Sequence, residues 1–208
     1  MVKNIIFDFD GTIANTEALA YHIYEMIVSE YEINKLTKDE FEDLKKVSMY
    51  EKFKRHQISI FKLPKLASKA VRILSQMMDE VDPYGGMIDT IKLLHEKGFN
   101  LFIVSSNSKK NIKRFLDRHD LNVFTGIFGR ARYFGKEKIL LKLLKKYDLE
   151  GHSTVYIGDE VRDIVSCRNV GIPILSVTWG FDDPEFLYQE NDGSVVDTVE
   201  QLQSLLIV

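Results

Sequence analysis

Short apolar runs that stop at small or acidic residues recur along the chain, each of a length suited to a strand buried on both faces. They are Ile5 to Phe9, with Asp8 set into it, then Leu101-Phe102-Ile103-Val104, Val155-Tyr156-Ile157 and Ile174-Leu175-Ser176-Val177. Between them the apolar positions take a helical spacing: Ile88, Ile91, Leu94 and His95 follow the paired glycines Gly85-Gly86, and Ile139, Leu140, Leu143 and Leu144 follow Gly135. Strands alternating with helices predict an α/β chain on a mostly parallel, Rossmann-like sheet covered on both faces.

Residues 16–82 break the rhythm with long helical patterns, no comparable strand and one proline, Pro64. The expected organisation is an α/β core from 1–15 and 83–208, with a helical cap, 16–82, inserted after the first strand. Asp82-Pro83-Tyr84-Gly85-Gly86 reads as the returning turn, and with Ile13 to Thr16 it would form a two-stranded hinge.

Charge narrows the partners. Lysine plus arginine number 28 against 31 acids, a formal net charge of −3 over 208 residues, which excludes a chain-wide positive field of the kind that draws nucleic acid or an anionic membrane. The lone Cys167 can close no intrachain disulfide and build no multi-cysteine zinc site. No run approaches the ~20 apolar residues of a membrane helix, so the expected setting is cytoplasmic. Inside the cap, residues 44–72 hold nine lysines and arginines (Lys45, Lys46, Lys52, Lys54, Arg55, Lys62, Lys65, Lys69, Arg72) against one acid, Glu51. Such a run is either an ordinary solvated helix face or a surface that attracts an anionic substrate.

Four features carry candidate chemistry. Asp8-Phe9-Asp10-Gly11-Thr12 puts two carboxylates at the end of the first strand, and its glycine lets the backbone turn sharply. Gly158-Asp159-Glu160-Val161-Arg162-Asp163 ends a second strand with acids, Asp159 and Asp163 being spaced to share a helix face. If the two strand ends adjoin, their hard, crowded oxygens suit a magnesium ion. Ser105-Ser106-Asn107 offers hydroxyls and amides to an anion where the second run stops, and Gly135-Lys136-Glu137-Lys138 opens a helix with a lysine.

In this order the four features resemble the haloacid dehalogenase-like hydrolases, and within them the helical-cap branch that includes phosphoglycolate phosphatase and β-phosphoglucomutase. Pro83-Tyr84-Gly85-Gly86 and Val177-Thr178-Trp179-Gly180-Phe181 look like that branch as well. The resemblance implies a magnesium-dependent phosphatase acting on a small phosphorylated metabolite through an aspartyl-phosphate. It assigns Asp8 as nucleophile, and Asp10 as general acid and then base. Metal ligands would be Asp8, the Asp10 backbone carbonyl and Asp159, with Asp163 supporting. Ser105 and Lys136 would hold the phosphoryl oxygens, helped by Ser106 and Asn107, and Lys138 is a rival for Lys136. A phosphomutase would use the same residues, and a non-catalytic phospho-acceptor would keep only the acidic pocket.

Overall fold

The structure, a computed structural model, describes residues 2–31, 35–43, 46, 63–129, 135–191 and 193–207. The chain forms two compact units, Met1–Asn15 with Asp82–Val208, and Thr16–Val81. It begins with strand β1 (Asn4–Phe7). The second unit then supplies helices α1 (Ala20–Tyr31), α2 (Lys38–Asp43) and α3 (Leu63–Gln76), and no strand among its described residues.

Within that helical unit α2 starts in a reciprocal cap. Thr37 Oγ1 accepts from the Glu40 N–H at 3.3 Å while the Glu40 carboxylate accepts from the Thr37 N–H at 2.8 Å. Phe41 of α2 packs its ring on Tyr21 and Tyr24 of α1, at 5.4 and 4.9 Å between centroids. Of the basic run, Lys46, Lys65, Lys69 and Arg72 are described, and Lys69 donates to Glu30. Lys45, Lys52, Lys54, Arg55 and Lys62, with Glu51, lie outside the described residues.

The larger unit continues through α4 (Met87–Glu96), β2 (Asn100–Val104), α5 (Lys109–Arg118), β3 (Gly126–Phe128), α6 (Lys136–Tyr147) and β4 (Thr154–Gly158). It ends with α7 (Val161–Val170), β5 (Ile174–Val177), α8 (Pro184–Glu190), β6 (Val195–Val196) and α9 (Val199–Leu206). The strands form a parallel, Rossmann-like sheet in the order β3-β2-β1-β4-β5-β6. Ile6, Phe102, Val104 and Tyr156 of the sheet pack with Leu140 and Leu143 of α6 and Ile164 and Cys167 of α7. Cutting one such leucine to alanine costs about 2–5 kcal/mol.

Strand order reverses at β1, which pairs with β2 on one side and β4 on the other, and an open α/β sheet binds ligands in the crevice beyond such a reversal. Phe7 lies opposite both Ile103 and Ile157, and the Asp8 N–H extends the ladder one step by donating to the Ile157 carbonyl at 2.8 Å. The residues following β1, β2 and β4 therefore emerge side by side.

Three details depart from the sequence reading. β1 stops at Phe7 instead of Phe9, because the Phe9 carbonyl accepts from Ile13 and Ala14 and closes a turn. The buried face of α4 is Met87, Thr90, Ile91 and Leu94, which leaves His95 exposed. β3 and β6 are three and two residues long, too short to carry a readable alternation.

Candidate active site

Asp8, the residue after β1, is buried, and its Oδ1 accepts from the Phe9 N–H at 2.6 Å. Its Oδ2 accepts from Lys136 Nζ at 2.7 Å, and the same ammonium donates to Asp163 Oδ1. Lys136 opens α6 and is 3% exposed, with its ammonium 5.4 Å from the centroid of the Tyr156 ring. Lys138, one helical step away, is exposed. Asp163 lies in the first turn of α7 with its Oδ2 buried and without a hydrogen-bond partner among the described residues. One oxygen from each of Asp8, Glu160 and Asp163 lies within 4.8 Å of the others. Glu160 is tied in turn to Arg162, whose Nε donates to its Oε2 at 2.7 Å.

Asp10 sits across the turn among different donors. Asn107 Nδ2 donates to its Oδ1 at 2.9 Å and Ser105 Oγ to its Oδ2 at 3.4 Å. Ser105 is fully buried and its hydroxyl oxygen accepts from the Asn107 N–H at 3.1 Å, whereas Ser106 is exposed.

Asp159 is fully buried and used otherwise: its Oδ1 accepts from Thr12 Oγ1 at 2.7 Å and its Oδ2 from the Phe181 N–H at 2.9 Å. The carboxylate occupies a slot that only glycines leave open, since a Cβ on Gly11 or on Gly180 would stand 2.1 or 2.2 Å from its Oδ2. Gly11 also has φ of +77°, a left-handed backbone that favours glycine for a second reason. Trp179 Nε1 donates to the Thr12 carbonyl at 3.2 Å, and the Asp182 carboxylate accepts from the Val161 N–H at 2.8 Å. The segment after β5 thus ties the turn after β1 to the start of α7.

Burial dominates the electrostatics. It pushes the Asp163 carboxyl up to about 7, the nearby Lys136 ammonium opposing the shift and the charges on Asp8 and Glu160 adding to it. Burial, then the carboxylates of Glu160, Asp8 and Asp163, drives Asp159 well above the usual carboxylate range. Glu160 is raised by burial against the pull of Arg162. For Lys136 burial disfavours the charged form, but Asp163 and Asp8 outweigh it and the group is more basic than an ordinary lysine. The arrangement sets the buried Lys136 ammonium, with Arg162 beside Glu160, among carboxylates that favour more positive charge.

The model of the haloacid dehalogenase-like hydrolases matches residues 5–177, a span that includes every one of these side chains except Trp179, Phe181 and Asp182 and the glycine between them. The chain belongs to this hydrolase family. It is 28% identical over 202 residues to a phosphoglycolate phosphatase of Synechococcus elongatus, covering 97% of this chain and 95% of the relative. A pyrophosphatase PpaX of Bacillus pumilus is 22% identical over 214 residues, covering 99% and 96%. Among solved structures, a haloacid dehalogenase-like family protein of Streptococcus pneumoniae superposes with a TM-score of 0.83 at 17% identity over 98% of both chains. CbbY of Rhodobacter sphaeroides, solved with phosphate, gives 0.73 at 18% identity over 97% and 96%.

In this hydrolase the structure brings Asp8, Lys136 and Asp163 into direct contact, and Asp10, Ser105 and Asn107 into a second group. It leaves Ser106 and Lys138 at the surface, and gives the Asp159 oxygens protein donors. The sequence assigns no role to Glu160, Arg162 or Asn111, and marks the Trp179 segment only as resembling the family. The acid pair Asp159-Glu160 was visible, but which of two adjacent acids faces inward depends on where α7 begins.

Proposed function

We propose that this phosphatase requires magnesium and hydrolyses a small organic phosphate monoester through an aspartyl-phosphate on Asp8, with the helical insertion, expected at 16–82, serving as its cap. The observation that carries the reading is the buried Asp8 carboxylate with Lys136 as its counter-ion at the reversal point of the sheet. Relatives named phosphoglycolate phosphatase and pyrophosphatase support a compact anionic substrate.

The residues suit a hard divalent cation. Three carboxylates converge, and Asp163 Oδ2 is a buried acceptor with no donor among the described residues. Asp8, Asp163 and Glu160, which converge, would hold the ion with the Asp10 backbone carbonyl, and Asp159 would join them through an oxygen that also accepts from Thr12 or Phe181. When bound, magnesium would neutralise charge on the phosphoryl oxygens.

The protein's own groups do the rest. A carboxylate approaching a phosphate meets repulsion of about 4 kcal/mol per unit-charge pair at 4 Å and an effective dielectric near 20. Lys136 lowers it, and with Ser105 it stabilises the equatorial oxygens of the transferring group. Asp8 Oδ bonds to phosphorus as the ester P–O bond breaks, and protonated Asp10 gives its proton to the departing alkoxide. Asp10 then takes a proton from water, whose oxygen bonds to phosphorus while the Asp8–P bond breaks, releasing inorganic phosphate and restoring both side chains. Asn107 stands within reach of the same region. The single buried cysteine, Cys167, supports a reducing, cytoplasmic setting.

The test is release of inorganic phosphate from glycolate, sugar and nucleoside monophosphates and from pyrophosphate, with magnesium and with chelator. Magnesium-dependent release from a monoester supports the proposal. Interconversion of isomers in place of release would make the enzyme a mutase, and inertness toward all of them would leave a phospho-acceptor.

A further inference from the structure

Behind Asp10 runs a chain of buried amides. Asn107 Nδ2 donates to Asp10 Oδ1 at 2.9 Å, while Asn107 Oδ1 accepts from the Ser108 N–H and from Asn111 Nδ2, both at 2.8 Å. The two ends of a carboxamide differ, one accepting and one donating. With two donors on its oxygen, Asn107 can present only its NH2 to Asp10. A flipped amide would set its oxygen against the Asp10 carboxylate and its NH2 against the Asn111 NH2. Asn107 and Asn111 are 5% and 4% exposed, so solvent does not make good such losses, and each unsatisfied buried group costs about 1–3 kcal/mol.

The Asn111 backbone is itself fixed. Its N–H donates to Ser108 Oγ at 3.1 Å, the N-cap bond of α5, and its side chain lies on the buried face that α5 otherwise fills with Ile112, Phe115 and Leu116. The helical pattern asks for an apolar residue at such a position. A buried asparagine there is explained by the donor it supplies.

We propose that Asn111 is a positioning residue: by occupying Asn107 Oδ1 it keeps the Asn107 NH2 on Asp10, and so holds that carboxylate in the orientation proton transfer needs. The inference rests on the reading of Asp10 as the acid and base, and it gives Asn107 the role of orienting Asp10.

The test compares Asn111→Asp, nearly isosteric but unable to donate to Asn107 Oδ1, with Asn111→Leu, which removes the donor and leaves the Ser108 N–H in place. For Asn111→Asp, kcat on a phosphate monoester should fall about 10-fold or more, with KM and magnesium affinity within about 2-fold of wild type; Asn111→Leu should fall less. Independently of activity, the Asn107 side-chain NH2 should exchange slowly with solvent by NMR in wild type and faster in either variant. Unchanged kcat in both folded variants, loss of kcat in step with KM and metal affinity, or undiminished Asn107 protection would each overturn the proposal. If wild type hydrolyses no monoester, the functional reading fails while the exchange measurement still decides whether Asn111 holds Asn107.

Discussion

Replacing Lys136 with methionine keeps the length of the side chain and removes its charge. The ammonium is 3% exposed and touches carboxylates of both Asp8 and Asp163, so its loss leaves two buried acids facing each other. Breaking a buried ion pair from one side costs about 3–5 kcal/mol, and repulsion between the stranded carboxylates at about 4 Å is of the same order. Asp163 offers partial relief, because its carboxyl is already pushed up to about 7 and can take a proton. Destabilisation of roughly 3 kcal/mol is therefore expected at pH 8 without divalent ions, shrinking toward pH 6. Urea unfolding of wild type and Lys136→Met at both pH values reads this directly. Phosphate release should fall about 10²–10³-fold. Lys138→Met is the control: that lysine is exposed, and its loss should shift stability by no more than about 0.5 kcal/mol. A Lys136→Met protein as stable as wild type at pH 8, or a Lys138→Met protein equally damaged, would refute the role given to Lys136.

Metal-free wild type should lose stability as pH rises from about 4 toward 7. Folded Asp163, raised above its unfolded value, binds more protons than the unfolded chain in that window, and thermal melts should show magnesium stabilising the protein more at pH 8 than at pH 5. Glu160→Gln should weaken magnesium binding about 10-fold by calorimetry, whereas Asp159→Asn should lower stability as well, since Asp159 also receives bonds from Thr12 and Phe181; unchanged affinity in Glu160→Gln removes it from the metal set. Gly180→Ala would drive a methyl to 2.2 Å from Asp159 Oδ2 and should cost about 1–3 kcal/mol, read by urea unfolding.

The parts of this protein that sequence made legible are those where one physical demand acts alone. Strands buried on both faces must be apolar throughout, so Ile5-Ile6-Phe7 and Leu101 to Val104 stood out, while the outer strands β3 and β6 are too brief to leave a pattern. Asp8 was conspicuous because an acid interrupts such a strand's end. Lys136 and Lys138 are not separable by sequence, since the distinction depends on which side of α6 faces the core, and the structure buries the first and exposes the second. The roles of Glu160, Asn111 and Trp179 are not legible for a related reason: Trp179 acts on Thr12 far along the chain, and Glu160 and Asn111 act through the exact starts of α7 and α5, while single residues of these types are common in helices and turns.

The central claim is that the Asp8 carboxylate accepts phosphorus. Wild type mixed with a turned-over monoester and magnesium, quenched in acid and digested, should carry a hydroxylamine-labile phosphate on the peptide containing Asp8, and Asp8→Asn should fold yet carry none and release no phosphate. A labelled peptide elsewhere in the chain, or an Asp8→Asn protein that turns over at the wild-type rate, would contradict the account.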